Sequence, residues 1–565
     1  MPIDVRLIKE AFAKHPKLDV KYTYGTAGFR TKANVLDSVI FTVGLLAVLR
    51  SQKHDGKYIG AMITASHNPA EDNGVKLVEP RGEMLAQSWE GYATELANAA
   101  TAEELARILE DVVAKEGIDT SKNANVIVGR DTRPSGEALV VALTDGVKAL
   151  GGNIEDYGLM TTPQLHYLNR CLNTRGQPDA YGEPSEEGYY KKLSDAFTRI
   201  VIGKSNQSIL YIDGANGIGA PTLQKLAKYI PKESLSLEVV NDNVGDPKKL
   251  NLQAGADYVK VGQKKPEGFD LKPGMRCASL DGDADRIVFW YADKSGTFKL
   301  LDGDKIATLA AEFIMRLVRS AEIPDIRVGV VQTAYANGAS TAYVKNTLNI
   351  PVTFTPTGVK HLHHAAEEFD VGVYFEANGH GTVLFSDKAI KAFHSAKIPT
   401  PGMDLALKGA PEKKAIETLR ALTDLINQTV GDALSDMLMV EAILVSENQS
   451  FEEWDKAYTD LPSRLEKVKV SNRHDFVAIK ADTELSKPDG LQAKISQQVA
   501  KFKHGRSFVR PSGTEDVVRI YAEADTQENA DLLANIICGL VYDYHGGVGE
   551  RPAAFRKVNA EGNLV

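Results

Sequence analysis

Three times along this chain an apolar run of strand length gives way to a polar or glycine-rich turn, a helically spaced segment and a second apolar run. The first unit begins at Asn125-Val126-Ile127-Val128-Gly129-Arg130-Asp131, with a helix from about Gly136 and a strand near Ile154. The second begins at Ser208-Ile209-Leu210-Tyr211-Ile212-Asp213-Gly214, with a helix near Thr222–Tyr229 and a strand at Leu237–Val240. The third begins at Val328–Thr333, with a helix near Ser340–Asn346 and a strand at Val352–Phe354. Strands alternating with helices at this spacing predict βαβ units in mainly parallel sheets. Their recurrence predicts three related α/β domains, a divergent repeat rather than a solenoid.

The remainder follows another rhythm. After a polar helical region around Glu412–Val430, strands are predicted near Val468–Val470 and Phe476–Ile479, then a helix near Leu491–Lys501. A strand–loop–strand at Ser507–Ala522 and a helix at Gln527–Leu540 complete an α+β pattern, expected as a smaller fourth domain. The implied divisions are 1–195, 196–300, 301–445 and 446–565, placed to within about ten residues. The tail from Gly546 reads as irregular.

At 565 residues, 43% hydrophobic and 25% charged, the chain has the make-up of an ordinary globular protein of several domains. A net charge of −9 argues against a nucleic-acid partner but leaves room for local arginines around an anion. Cys171, Cys277 and Cys538 lie far apart and form no C-x-x-C, so neither a disulfide framework nor a zinc knuckle is expected. The first residues lack a basic region followed by an apolar core, and the longest apolar stretch, Val39–Leu49, reads as a buried helix. The expectation is a cytoplasmic protein with no membrane and no obligatory protein partner.

Chemistry is concentrated in a few loops. The strand-like run Tyr58–Ile63 leads into Thr64-Ala65-Ser66-His67-Asn68-Pro69, and Lys76 follows ten residues after Ser66. Asn-Pro favours a turn, which puts the Ser66 hydroxyl on a bend at a strand end, where α/β proteins place their chemistry. The alternative is a surface turn. A serine hydrolase fits poorly, because there is no G-x-S-x-G elbow and His67 is too near in sequence to act as base.

Asp281-Gly282-Asp283-Ala284-Asp285-Arg286 sits between the apolar runs Cys277–Leu280 and Ile287–Tyr291. Three alternate carboxylates converge only around a cation, and hard oxygen ligands favour Mg²⁺ or Ca²⁺. The glycine and glutamate of an EF-hand are missing from their positions, where Arg286 and Ala292 stand. Arg510-Pro511-Ser512-Gly513-Thr514-Glu515-Asp516, with Arg519 beyond, offers two guanidiniums, two hydroxyls and backbone amides to a phosphate. In Glu376-Ala377-Asn378-Gly379-His380-Gly381 the glycines permit close backbone approach and Glu376 and Asn378 suit hydroxyl groups. His380 supplies a residue type able to move protons.

Two tempting signals are set aside. Asp213-Gly214-Ala215-Asn216-Gly217-Ile218-Gly219 has the wrong glycine spacing for a dinucleotide loop and reads as structural. His361-Leu362-His363-His364 lies at a helix start without a cysteine nearby, which favours packing over zinc.

Taken in order, T-A-S-H-N-P, D-G-D-A-D-R, the loop at Glu376–His380 and R-P-S-G-T-E resemble the α-D-phosphohexomutase family, from Tyr24 to Ala524. Tyr24-Gly25-Thr26-Ala27-Gly28-Phe29-Arg30 supports the likeness, and Glu376-Ala377-Asn378-Gly379-His380 looks like the branch acting on acetylglucosamine phosphates. The resemblance implies an α/β, four-domain phosphohexomutase architecture around a central cleft: three related mixed-sheet domains and a smaller α+β domain. They would carry, in order, the phosphoserine, metal, sugar and phosphate loops.

It also implies interconversion of N-acetylglucosamine 6-phosphate and 1-phosphate through a phosphoserine and a 1,6-bisphosphate, on the way to UDP-N-acetylglucosamine. By carry-over Ser66 is the phosphoserine, and Asp281, Asp283 and Asp285 hold Mg²⁺ together with a phosphate oxygen on Ser66. Glu376, Ala377 and Asn378 contact the sugar, while Arg510, Pro511, Ser512, Gly513, Thr514 and Arg519 bind the non-reacting phosphate. Arg30 and Lys76 lie near the phosphoserine. Lys76 or His380 is expected to move the hydroxyl proton, ahead of His67. The alternatives are a phosphoglucomutase or phosphomannomutase, a metal-dependent sugar phosphatase, and a non-catalytic sugar-phosphate binder.

Overall fold

A computed structural model of the chain describes residues 4–551, apart from 26, 205–207, 399–408, 513–515 and 545. The first sheet contains β1 (Phe29–Lys32), β2 (Tyr58–Ile63), β3 (Asp72–Val78), β4 (Asn125–Arg130) and β5 (Asn153–Leu159), in the order β1-β3-β2-β4-β5. The second contains β6 (Leu210–Asp213), β7 (Leu237–Val240), β8 (Arg276–Leu280), β9 (Ile287–Ala292) and β10 (Phe298–Leu301), ordered β10-β9-β8-β6-β7. The third, β12-β11-β13-β14, comprises β11 (Val328–Thr333), β12 (Val352–Thr355), β13 (Val371–Phe375) and β14 (Gly381–Phe385). The last part has β15 (Ser463–Lys469), a small hairpin of β16 (Val477–Ile479) and β17 (Glu484–Lys487), then β18 (Arg506–Pro511) and β19 (Val517–Glu523). There the main sheet runs β15-β19-β18.

The sheets are mixed, as the family resemblance implies, which corrects only the mainly parallel pairing expected from the βαβ pattern. β2, β8 and β13 occupy equivalent places: each pairs in parallel with one neighbour and antiparallel with the strand that follows it. The physical reason is loop length, since only antiparallel neighbours can be joined by a short hairpin. Those hairpin loops are the chemistry-bearing segments around Ser66, Asp281–Arg286 and Glu376–His380. β18 and β19 repeat the plan, with an antiparallel hairpin around Ser512.

Helix Asp37–Lys53 is buried on nearly every side, as its apolar run predicts. It packs against helix Gly136–Ala149 so closely that a Cβ on Gly44 would lie 2.3 Å from the Leu143 carbonyl oxygen. The predicted helix at Glu412–Val430 is Gly409–Leu425, and a further helix, Ala433–Glu447, begins after it at the cap Asp432. Asp432 accepts the amides of Leu434 and Ser435 at 3.1 and 3.2 Å, the usual way an aspartate satisfies a helix start. The segment predicted as Ser340–Asn346 forms a short α-turn, Gly338–Ala342, that widens into a π-turn over Tyr343–Thr347.

Helices Glu186–Val201, Gly303–Ser320, Gly409–Leu425 and Ala433–Glu447 share one apolar core with the second and third sheets. Inside it Arg276, at the start of β8, pairs with Glu441 at 2.9 Å to both carboxylate oxygens and donates to Ser208 O at 3.0 Å. Polar ties bring the sheets together. Lys360 donates to Leu85 O at 2.9 Å and pairs with Glu90, joining the third region to the first. Arg506 donates to Ala334 O at 2.7 Å, and Glu523 accepts from the Gly338 amide at 3.2 Å, seating the last sheet against the third. Tyr335 packs its ring 5.0 Å from Phe508, completing that contact. Among the described residues no helix is long and apolar enough to cross a membrane.

Candidate active site

Ser66 follows β2 in a left-handed turn, with φ of 50°, and is fully buried. A non-glycine residue pays about 1–2 kcal/mol for that backbone, so surrounding bonds must hold it. Thr64 Oγ1 accepts the Ser66 amide at 2.9 Å and donates to Asp131 at 2.7 Å. The Ser66 hydroxyl donates to Asp281 Oδ2 at 2.6 Å, across 215 residues of sequence.

The acidic loop is pressed against this turn. A Cβ on Gly282 would stand 2.6 Å from Ser66 O, and one on Gly217 would stand 2.4 Å from Gly282 O. The glycine-rich segment around Gly217 therefore backs the acidic loop, in keeping with the structural role expected of it. Asp281 Oδ1 accepts the amides of Asp285 and Arg286 at 3.1 and 3.2 Å, which curls the loop. Asp281, Asp283 and Asp285 are all buried, each with a ligand oxygen within 4.8 Å of the others.

Cations surround the three aspartates. Lys76 Nζ lies 3.2 Å from Asp285 and 3.5 Å from Asp283, while Arg286 Nε is 3.8 Å from both Asp281 and Asp285. Thr162 donates its hydroxyl to Asp283 at 2.5 Å. Burial, and then the charges of Asp285 and Asp283, push the Asp281 carboxyl well above the ordinary carboxylate range. Burial pushes Asp285 the same way, but Lys76, His380 and Arg286 outweigh it and hold that carboxyl well below the range. Asp283 Oδ1 and Asp285 Oδ1 are buried with no hydrogen-bond partner among the described residues. Two sealed carboxylate oxygens without hydrogen bonds, beside a third carboxylate, fit a hard divalent cation such as Mg²⁺.

The Glu376–His380 segment docks onto the same loop. Ile287 N donates to Gly379 O at 3.2 Å, and His380 Nδ1 lies 2.8 Å from Asp285 O. Gly379 has φ of 86°, and a Cβ there would fall 1.9 Å from Ile287 O. On the other side a Cβ on Gly303 would meet Glu376 O at 1.8 Å. Asn378 accepts the His380 amide at 3.0 Å and donates to Glu376 at 3.4 Å, which ties Glu376, Ala377 and Asn378 into one tight turn.

Arg30 lies on β1 opposite Gly74, and among the described residues its buried Nε has no hydrogen-bond partner. His67 is forced down to about 2 by burial and by the charges of Arg286 and Arg30, so its ring is neutral at any physiological pH. With Asp281, Asn251 and Tyr258 it lines a cavity of about 400 Å³, within the size range of small-molecule sites. His361 to His364 lie on helix Val359–Ala366, where His363 Nδ1 sits 3.0 Å from the Tyr374 hydroxyl, a packing role.

The fourth loop stands apart. Arg510 and Arg519 face each other across β18 and β19, a like-charge pairing that is unfavourable unless an anion lies between. Arg510 Nε meets Asp482 at 3.1 Å, and Asp482 also accepts the Thr357 amide at 2.8 Å. Pro511 ends β18, and Ser512 is buried beside it with its amide on Val517 O at 2.9 Å. Gly513 and Thr514 lie outside the described residues. Ser66, Lys76, the three aspartates and His380 thus form one connected cluster. Among the described residues no hydrogen bond or ion pair joins Arg510 or Arg519 to it.

Sequence reasoning missed Arg133, Asn251 and Thr162. The signal for Arg133 was present in Arg130-Asp131-Thr132-Arg133, a charged turn directly after an apolar strand. Asn251 and Thr162 have no comparable signature, since each acts through a single side chain in an unremarkable loop or helix start.

Comparison with known proteins yields four family-model matches. "Phosphoacetylglucosamine mutase AMG1, domain II" matches residues 184–288, and domain III of the same description matches 302–449. The phosphoglucomutase/phosphomannomutase alpha/beta/alpha domain I matches 31–91 and 87–177, and the C-terminal domain of that description matches 465–540. The Sus scrofa phosphoacetylglucosamine mutase is 52% identical over 556 residues, 97% of this chain and 99% of its own. A solved structure of Aspergillus fumigatus N-acetylphosphoglucosamine mutase with GlcNAc-6P and magnesium superposes with a TM-score of 0.91 at 50% identity, covering 96% of this chain and 99% of that one. A variant of the Aspergillus enzyme with glucose 1,6-bisphosphate gives 0.92 at 50% identity, covering 97% and 100%.

Proposed function

The chain belongs to the phosphoacetylglucosamine mutases of the α-D-phosphohexomutase superfamily, and on that premise we propose how its own residues carry the reaction. The enzyme interconverts N-acetylglucosamine 6-phosphate and N-acetylglucosamine 1-phosphate, with Mg²⁺ as cofactor. We assign Ser66 as the carrier. Phospho-Ser66 passes its phosphoryl group to the free sugar hydroxyl, giving a 1,6-bisphosphate and an unmodified Ser66. The bisphosphate turns over, and Ser66 Oγ takes the other phosphoryl group as the product leaves.

The carrying observation is the 2.6 Å contact between Ser66 Oγ and Asp281, in a backbone conformation the turn must be built to hold. Asp281, Asp283 and Asp285 would hold the metal, which when bound neutralises charge on the transferring phosphoryl oxygens. Arg286 and Arg30 add fixed positive charge around that group. Lys76 or His380 moves the proton of the attacking hydroxyl, and the backbone bond from Asp285 fixes the His380 ring for that task. His67, held neutral and lacking a partner on Nδ1, orients substrate in the cavity it lines.

Glu376, Ala377 and Asn378 read the sugar hydroxyls in both orientations. Arg510, Pro511, Ser512, Gly513, Thr514 and Arg519 receive the phosphate that is not being transferred. The separation of that hairpin from the Ser66 cluster supports a fourth unit that opens for reorientation and closes for transfer. Three buried, unpaired cysteines fit a reducing compartment, so we assign the reaction to the cytosol, supplying UDP-N-acetylglucosamine synthesis.

The test compares wild type with Ser66→Ala on N-acetylglucosamine and glucose phosphates in the presence of Mg²⁺. Isomer formation is expected from wild type and none from the variant. Equal turnover by both proteins would reject the carrier role, and net release of inorganic phosphate would replace the mutase by a phosphatase.

A further inference from the structure

The turn that presents Ser66 is gripped by two side chains that the scheme above leaves without a task. Arg133 lies in the turn after β4, and its side chain is fully buried. Its Nη2 donates to Ser66 O and Asn68 O, each at 2.9 Å. Its Nη1 donates to Asp72 O at 2.8 Å and also to Pro69 O. Its Nε pairs at 3.0 Å with Asp131, the same carboxylate that receives the Thr64 hydroxyl.

Asn251 reaches the turn from the side of the second sheet. Its Nδ2 donates to Ser66 O at 2.8 Å and to Asn68 O at 3.1 Å. Two donors therefore share the same two carbonyl oxygens, one donor from each of two α/β units. Each oxygen has two lone pairs, and this arrangement occupies both. Asn251 is itself fixed, by a bond from its amide to Ala215 O at 2.9 Å and by Gly282, where a Cβ would lie 2.9 Å from Asn251 Nδ2.

We propose that Arg133 and Asn251 are positioning residues for phosphoryl transfer: together they hold Ser66 in its left-handed turn, and Asn251 makes that placement depend on the seating of the acidic loop. The assignment rests on the mutase reading above. Arg133 provides the permanent grip, because its charged donors stay with the unit that contains Ser66. Asn251 provides the conditional one, because its single amide group bridges from the unit that contains Asp281. Arg133 is sealed behind the turn, and Asn251 lines the adjoining cavity but spends its amide group on the two carbonyl oxygens. Their effect is on geometry, and a displacement of about 1 Å in a reacting group can lower a rate roughly a hundredfold.

The experiment uses the full chain with Mg²⁺ and compares wild type, Asn251→Ala and Asn251→Asp, with Ser66→Ala as control. Three quantities are read: kcat and KM for N-acetylglucosamine 6-phosphate, the melting temperature, and the ³¹P resonance of phospho-Ser66. For Asn251→Ala, kcat should fall about 10- to 100-fold while KM stays within about twofold. The phosphoserine resonance should broaden or shift. Asn251→Asp should be at least as slow, because a carboxylate cannot donate and would face two carbonyl oxygens. Arg133→Lys, which keeps the charge but loses the planar fork, should show the same split between kcat and KM.

A folded Asn251→Ala enzyme with kcat within twofold of wild type would overturn the proposal. So would a defect confined to KM. Should the alanine variant fail to fold, Asn251→Asp decides by the same criteria. Wild type that never carries phosphate on Ser66 would remove the mutase reading itself, whereas active wild type alongside an equally active Asn251→Ala removes only the positioning role.

Discussion

Replacing Asp281 by asparagine should make the metal-free protein more stable while destroying its response to metal. Asparagine keeps the side-chain shape, and its oxygen can still accept the amides of Asp285 and Arg286 that Asp281 Oδ1 accepts at 3.1 and 3.2 Å. What disappears is a charge within 4.8 Å of two others. At an effective dielectric constant near 20, each repulsion at 4.8 Å amounts to about 3.5 kcal/mol. The attraction lost to Arg286 at 3.8 Å amounts to about 4.4 kcal/mol on the same scale. The balance favours the variant by roughly 2.6 kcal/mol.

The pH dependence carries a definite sign. Asp281 has its carboxyl raised in the folded state, so it keeps a proton that the unfolded chain has already released. Its native contribution is therefore full below the ordinary carboxylate value and is lost as pH rises toward the raised one. The advantage of Asp281→Asn should be small near pH 4 and largest at pH 8. Thermal unfolding in EDTA at both values, then with added Mg²⁺, checks this. At pH 8 without metal the variant should melt about 5 °C higher, taking a cooperative unit of ordinary domain size. Mg²⁺ should raise the melting temperature of wild type alone. A variant no more stable than wild type at pH 8 in EDTA, or an advantage equal at both pH values, would refute the argument.

Two further predictions concern how the loops are supported. Arg276→Met should destabilise by about 3–5 kcal/mol, because it leaves Glu441 charged and sealed in the core. The double variant Arg276→Met/Glu441→Leu should recover most of that loss in denaturant titrations, and failure to recover would mean that the pair contributes net stability. Gly379→Ala should lower activity at least tenfold, since the new methyl group would meet Ile287 O at 1.9 Å in a backbone conformation with φ of 86°; activity assays showing less than a twofold change would contradict the tight docking of the Glu376–His380 loop.

Much of this molecule could be read in its residues, and what could not has a common cause. The apolar run Val39–Leu49 announced its buried helix, and the three strand–turn–helix units fell where β4, β6 and β11 begin. The alternate aspartates at 281, 283 and 285 announced a convergence of carboxylates, and the structure brings their oxygens within 4.8 Å of one another. Local pattern gave the strand–loop–strand at β8 and β13 but not the fold-back of β2 onto β3, since an apolar strand looks the same whether its neighbour runs with it or against it. Nor did it reveal Arg133 or Asn251, which matter only through carbonyls that belong to another segment. Thr162 was invisible for the same reason: its partner Asp283 lies 121 residues away. Residues that do chemistry carry distinctive functional groups, while residues that hold them in place are marked only by the fold.

The grip on Ser66 from Asn251, Gly282 and Asp281 also has a consequence for how the protein comes into being. Synthesis proceeds from the amino terminus, and the turn at Ser66 is made 215 residues before its partner Asp281. At about 5–20 residues per second, the nascent chain waits roughly 10–40 s with that serine outside its final clasp. A ribosome-bound chain that stops short of residue 281 therefore carries a Ser66 without its Asp281 partner. By the assignments above the wait is longer still, because the loop at Glu376–His380 and the hairpin of Arg510 and Arg519 are made later, and a fragment released before them lacks part of the site.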